Sequence, residues 1–315
     1  MTYLLITFQA LVVLLSAPLV VGMVRTLKAR FQNRQGPSIF LPYVSMLSLL
    51  RKEMTITKHS SWVFRVVPFV VLGSAFFLAL VVPSLFFGIV PSSLDNIFLF
   101  GAVVALGSVF LVLGGMDTGS TFGNMGSSRE MTLAALVEPA FYVSLATLAL
   151  ATGAWGMGGI IGHFTSLPWL VAVPPVIVTL IGFLFVLLAE NARYPVDNPA
   201  THLELTMVHE AMILEYSGTY LAMLEYASAI KLTALLAVCM GILIPFGISA
   251  PPVTFFGLGV ALIAFFGKLA LGAFAIAFIE SVIVKMRFYR MQEYMMLAFF
   301  IALLGLAVEL IVLYH

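Results

Sequence analysis

The sequence predicts an all-α, polytopic membrane protein, and three observations carry that prediction. Of 315 residues, 62% are hydrophobic and only 9% charged, against about 25% charged in a soluble domain. Eight apolar segments approach the roughly 20 residues that a helix needs to cross a bilayer. Fourteen of the fifteen basic residues fall between alternate segments.

The predicted spans are 4–24, 66–87, 97–113, 132–152, 170–188, 229–248, 253–279 and 295–313. Together they read as one integral membrane domain over residues 1–315. The first is not read as a cleavable signal, because its first basic residue, Arg25, follows the apolar run. Gly73, Gly107, Pro139, Pro174 and Gly241 lie inside spans, where neighbouring helices can cover the exposed backbone.

Eight basic residues lie between the first two spans: Arg25, Lys28, Arg30, Arg34, Arg51, Lys52, Lys58 and Arg65. The loops around Pro91, His163 and Pro251 hold none. By the positive-inside rule the basic loops are cytoplasmic and both termini face outward. Within the first cytoplasmic loop, residues 42–52 place Tyr43, Met46, Leu47 and Leu50 on one helical face. That pattern predicts an amphipathic helix along the inner membrane surface.

Composition also excludes several functions. Lysines and arginines are too few and too scattered for a nucleic-acid face. Cys239 is the one cysteine; it allows no internal disulfide, and no CxxC is present to hold zinc or iron–sulfur. No cofactor, metal or catalytic residue is expected in this chain. The glycine-rich stretch 117–130 lacks the GK[ST] ending of a phosphate loop. Ser127 and Glu130 have capping-box spacing, which predicts a helix start there. No internal repeat is visible, which counts against a transporter built from repeated halves.

Residues 190–231 carry six of the fourteen acids: Glu190, Asp197, Glu204, Glu210, Glu215 and Glu225. Ionisable groups at a membrane are costly and mark functional sites. Pro195 and Pro199 predict irregular backbone, tolerated at membrane depth only against protein or a water-filled cavity. His202 and His209 are two helical turns apart, and no HExxH surrounds them, so hydrogen bonding or proton relay is favoured over metal binding. Glu138 and Lys268 fall well inside spans and are candidates for proton movement and for pairing with each other. Glu280 and Lys231 sit near span ends, where snorkelling would satisfy them. Asp117 and Arg129 are a candidate pair at the membrane edge.

These residues carry a resemblance. ENARYPVD (190–197), EYSG (215–218) and LEYA (224–227) resemble the H subunit family of NADH:quinone oxidoreductase, with matches at Glu190, Arg193, Pro195, Asp197, Glu215 and Glu225. RQGP (34–37) and RKE (51–53) resemble that family's first cytoplasmic loop. The stretch between Asp197 and EYSG is longer by about three residues and less acidic than the quinone-type pattern. MDTGSTFGNMGSSREMTLAALVEP (116–139) instead resembles the hydrogenase branch, the hydrogenase-4 component C and formate hydrogenlyase membrane subunits, with Thr121 at the position of a proline.

The resemblance implies a membrane anchor for a redox module in an energy-converting hydrogenase complex. Its expected partners are the nickel–iron large subunit, the small subunit, an iron–sulfur protein and antiporter-like membrane subunits. The nickel–iron centre and iron–sulfur clusters would all lie in those partners, and the complex would sit in the cytoplasmic (inner) membrane. Expected coupling residues are Glu138, Glu190, Arg193, Asp197, Glu204, Glu210, Glu215, Glu225, Lys268 and Glu280. Expected contacts with the redox module are Arg34, Gly36, Pro37, Asp117, Arg129 and Glu130. The alternatives are the quinone-chamber H subunit of NADH:quinone oxidoreductase, a stand-alone ion transporter and a passive anchor.

Overall fold

The computed structural model describes residues 2–57, 60–166, 174–197, 207–251, 254–283 and 288–314. Among these residues there are eleven helices and no strand: α1 (Thr2–Phe31), α2 (Leu41–Leu50), α3 (Trp62–Val81), α4 (Ile97–Asp117), α5 (Thr121–Thr152), α6 (Met157–Ser166), α7 (Pro174–Glu190), α8 (His209–Ile213), α9 (Gly218–Leu243), α10 (Phe255–Val282) and α11 (Phe288–Tyr314). Seven of them, α1, α3, α4, α5, α9, α10 and α11, are long and apolar enough to cross a membrane. The fifth of the eight expected spans is α7, whose 17 residues stand at the lower limit of about 17–25 for a crossing helix.

Helix α9 is the centre of the bundle. It packs against α1, α3, α7 and α10, and 78% of its most apolar stretch is buried, against 22% for the peripheral α11. The second layer is α5, which packs on α4, α7 and α11.

Several helix ends depart from the sequence expectation. Helix α5 begins eleven residues before the expected 132, at Thr121, because Ser120 Oγ caps it by accepting the Gly123 N–H at 3.1 Å. Ser127 is therefore not a cap. It lies inside α5, and its hydroxyl donates to the Val112 carbonyl of α4 at 3.0 Å. The glycines of this stretch are packing positions. A Cβ on Gly126 would come within 2.8 Å of the Val208 carbonyl oxygen and of Ala211 Cβ, and one on Gly115 within 3.0 Å of Met212. Close approach of α4, α5 and α8 thus requires residues without side chains. The second expected span stops at Val81 rather than 87, just before Pro83, which has no N–H to continue the ladder.

Buried polar groups staple the frame. Gln9 of α1 is fully buried. Its amide donates to the Val82 carbonyl at 2.7 Å and accepts the N–H groups of Leu85 and Phe86 at 3.2 and 2.9 Å. Pro18 interrupts α1 and leaves the Leu14 carbonyl without its i+4 donor. The Tyr226 hydroxyl of α9 fills that place at 3.1 Å, and the Tyr43 hydroxyl of α2 donates to the next carbonyl, Leu15.

Helix α2 forms as expected, over 41–50, with its faces divided differently. Tyr43 and Met46 turn inward and are half-buried, whereas Leu47 and Leu50 join Phe40 and Val44 in an exposed apolar stripe. An apolar stripe on a surface helix suits the headgroup–acyl boundary of a bilayer.

Candidate functional site

Three ionic groups converge where α7 ends. The first joins α7, α9 and α4: Lys231 Nζ lies 2.6 Å from Glu190 Oε1, and the Ser108 hydroxyl donates to the same oxygen at 3.1 Å. Lys231 also reaches Ser108 Oγ at 3.2 Å. Helix α7 ends there because Ala192 takes a positive φ of 48° and the Arg193 N–H turns back to the Leu188 carbonyl at 2.8 Å. This sharp exit throws Arg193 and Asp197 back into the bundle. The Tyr194–Pro195 peptide within it is cis.

The second group joins that exit to α1 and α10. Glu280 is buried and receives two cations, Lys28 Nζ at 2.9 Å and Arg193 at 3.4 Å. Lys28 also lies over the Tyr194 ring, 4.1 Å from its centroid. Burying one carboxylate between two cations satisfies its lone pairs, and this offsets the cost of taking the charges out of water.

The third group is built on the irregular backbone. Asp197, 2% exposed, accepts the N–H groups of Val208 and His209 at 3.2 and 3.1 Å. It therefore fixes the start of α8. Residues 198–206 lie outside the described residues, and Glu204 and His202 with them. Glu210 on α8 and Glu225 on α9 line a cavity with Arg25.

Cavities connect these groups. One of about 590 Å³, counted with its mouth, has Glu130, Glu190, Lys231, Ser108 and His209 at its polar end and Val71, Leu78 and Leu111 at its apolar end. A second, of about 750 Å³, is lined by Arg25, Arg193, Asp197, His209, Glu210 and Glu225. A smaller third, of about 320 Å³, brings Glu130, Glu190 and Asp197 together.

Burial drives the protonation of the groups on α8. Glu210 is pushed up to about 7 by burial and by the Glu225 and Asp197 carboxylates, against a smaller pull from Arg25. His209 is pushed down to about 4 by burial, so its ring is neutral at pH 7. Between pH 4.5 and 7 the folded protein keeps a proton on Glu210 that the unfolded chain has released. The contribution of this proton to stability is full below the ordinary value and is lost as pH rises through about 7. His209 has the opposite slope, costing stability as pH falls from 6.5 toward 4. Glu210→Gln should therefore shrink the drop in melting midpoint between pH 5 and pH 8 relative to the parent protein. An unchanged drop would place Glu210 in an ordinary aqueous setting.

Other expected residues are placed differently. Glu215 is half-buried and lines none of the three cavities. Its EYSG motif works as a clamp. The Tyr216 ring stacks on Phe64 at 4.0 Å, and the Ser217 hydroxyl accepts the Thr55 N–H at 2.9 Å. Gly218 has φ +55°, and a Cβ there would press on the Lys52 and Glu53 carbonyls. Arg34 and Pro37 are exposed and Gly36 is half-exposed on the loop after α1.

Asp117 and Arg129 do not pair. Asp117 accepts from the Ser61 N–H and hydroxyl at 2.8 and 2.6 Å and so caps α3, while Arg129 donates to the Met207 carbonyl at 3.0 Å. Glu130 turns into the first and third cavities.

Glu138 and Lys268 do not meet either, since α5 and α10 are not packed together. Lys268 is buried, and its ammonium has no hydrogen-bond partner among the described residues. Sequence reasoning missed Ser108, Lys28 as a ligand of Glu280, and Glu309, buried on α11 with one carboxylate oxygen unpartnered among the described residues. A serine next to Gly107 in an apolar span was the one available signal for Ser108.

Comparison with known proteins agrees with the resemblance. The chain is 30% identical over 279 residues to formate hydrogenlyase subunit 4 of Escherichia coli (strain K12), covering 89% of both chains. It is 31% identical over 240 residues to hydrogenase-4 component C of the same organism, covering 76% of this chain and 74% of that one. The NADH-quinone oxidoreductase H subunit of Pelagibacter ubique (strain HTCC1062) is 27% identical over 240 residues, covering 73% and 70%. In fold, the chain matches one from the membrane-bound sulfane sulfur reductase, an archaeal respiratory membrane complex, with a TM-score of 0.77 over 96% of this chain and 99% of that one, at 17% identity. The family described as NADH dehydrogenase matches residues 3–312. With its crossing helices and near-complete coverage, the chain belongs to the NADH dehydrogenase family and is a multi-pass membrane protein similar to formate hydrogenlyase subunit 4 and hydrogenase-4 component C.

Proposed function

We propose that this chain is the membrane-anchor and proton-coupling subunit of an energy-converting nickel–iron hydrogenase complex in the cell membrane. The carrying observation is the polar tract inside an otherwise apolar bundle, from Arg25, Glu210 and Glu225 to Glu190, Lys231 and Glu130. Such a polar tract is costly in a membrane protein, and intramembrane ionisable residues mark ion and proton pathways by default. The exposed loop with Arg34 and Pro37 and the other basic loops face the cytoplasm, where the redox module docks, and the termini face outward. Nickel–iron and iron–sulfur chemistry belongs to partner subunits, and antiporter-like subunits take the ion onward. A redox event that alters the field at the tract shifts the proton affinity of its buried carboxylates.

The first test is composition. The tagged chain purified in mild detergent should bring down nickel and hydrogen-dependent dye reduction. The second test is Glu190→Gln, which leaves Lys231 facing a neutral amide. Protons moved per electron in inverted membrane vesicles should fall by about 100-fold, the low end of the rate lost with a proton-transfer group. Unchanged pumping in an assembled complex would remove Glu190 from the path.

The second cavity, opening beside Pro42 and Met46 of α2, favours one other reading, a quinone chamber. An intact complex with flavin, quinone reductase activity and no nickel would establish that reading in place of the first.

A further inference from the structure

The two large cavities share three polar side chains: Asn191, Ser228 and His209. An amide and an aliphatic hydroxyl do not exchange charge near neutral pH. Among the described residues, His209 is therefore the one titratable group with a side in each cavity.

Its placement is fixed. His209 opens α8, its N–H is held by Asp197 at 3.1 Å, and the following Ala211, Met212 and Ile213 are buried. Charged groups line the same two cavities from the elements around it: Glu130 on α5, Glu190 on α7, Lys231 and Glu225 on α9, Arg193 and Asp197 on the exit loop, and Arg25 on α1. Helix α4, which also packs on α8, contributes Gly107, Ser108 and Leu111 and no titratable group. Asp197 favours the imidazolium, whereas burial, Lys231 and Arg193 oppose it, and burial dominates. The resting ring is thus neutral, with one nitrogen to donate and one to accept. This is the state a two-sided relay needs.

We propose that His209 is the proton relay between the two cavities. The inference rests on the proton-coupling reading above. A proton leaves the carboxyl of Glu210 in the second cavity, directly or across one water, and bonds to the bare ring nitrogen. The N–H bond on the other nitrogen then breaks toward the carboxylate of Glu130 or Glu190 in the first cavity. One carboxylic acid becomes a carboxylate, one carboxylate becomes an acid, and the imidazole is left as the opposite tautomer. Rotation about its Cβ–Cγ bond resets it. Because the ring holds a proton weakly, the proton passes through it and does not rest there.

The test is His209→Ala in the whole complex, which leaves a void continuous with both cavities. In inverted vesicles evolving hydrogen from a reduced dye, protons moved per electron should fall by about 100-fold, the low end of the rate lost with a proton-transfer group. Nickel content of the purified complex should match the parent, and millimolar imidazole should restore pumping. His209→Gln should show the same loss without rescue, since no void is opened. Normal pumping in His209→Ala overturns the relay. A loss that imidazole leaves uncorrected also overturns it and assigns His209 to structure. Glu190→Gln, measured beside it, separates the two levels: if Glu190→Gln uncouples while His209→Ala does not, the coupling reading stands and the relay alone fails.

Discussion

Glu280→Ala should lower the melting midpoint of the purified protein more than any other single charge removal. The Glu280 side chain is 2% exposed, and its two cations, Lys28 and Arg193, are 18% and 9% exposed. Removing one member of a buried ionic group leaves the others desolvated and unpaired, which costs about 3–5 kcal/mol. Here two cations are left facing each other between α1, α10 and the exit of α7. Glu280→Gln keeps an acceptor without the charge and should fall between the parent and the alanine variant. Adding Lys28→Met to Glu280→Ala should recover part of the loss by removing one stranded cation, and a double-mutant cycle would measure the recovery. A midpoint unchanged in Glu280→Ala would mean that water reaches both cations.

Gly126→Leu should damage structure and coupling together. The Cβ alone would come within 2.8 Å of the Val208 carbonyl and Ala211 Cβ, both backbone-fixed parts of the α8 region. Overpacking of this kind costs about 1–3 kcal/mol. Relief requires α8 to move off α5, and α8 carries His209 and Glu210. The expected result is a lower melting midpoint and a loss of protons moved per electron, with partners still bound at low temperature. Gly73→Ala is the matched control. Its Cβ would meet nothing within 4 Å, and exchanging glycine for alanine inside a helix should stabilise by about 1 kcal/mol. If Gly126→Leu behaved like Gly73→Ala, α8 would be free to shift without consequence.

Much of this architecture was legible in the sequence, because burial in lipid forces composition itself to report the fold. The apolar runs marked each crossing helix, and the acid-rich stretch after Glu190 marked the site. The motifs around Arg193 and Glu215 marked the family. Helix ends were less legible. The glycines at 123 and 126 look like breakers, and only the facing surfaces of α4 and α8 show that they are packing positions.

Partners distant in the chain were not legible at all. Lys231 meets Glu190 across 41 positions and Lys28 meets Glu280 across 252, and neither spacing carries a periodic signal. Lys231 near a span end reads as a snorkelling lysine, and Lys28 as one more cytoplasmic positive charge. Glu215 stands apart from the three cavities. It belongs to a conspicuous motif whose Tyr216 and Ser217 do mechanical work on α3 and on the loop at Thr55.

Past Lys231, α9 runs on through residues 232–242, every one of them buried, and the α9 lining of the cavities ends at Lys231. That half of the central helix offers no charged side chain, and its Thr233 hydroxyl is spent on the Ala229 carbonyl of the same helix. On the coupling reading proposed above, a proton that arrived at Lys231 would meet an insulating segment ahead and would leave sideways, toward a neighbouring subunit. On the same reading, the chain inserted alone would not short-circuit the membrane, where each leaked charge would dissipate about 2.3 kcal/mol per 100 mV. The conducting path would then be completed only by assembly, and a half-built complex would hold its voltage.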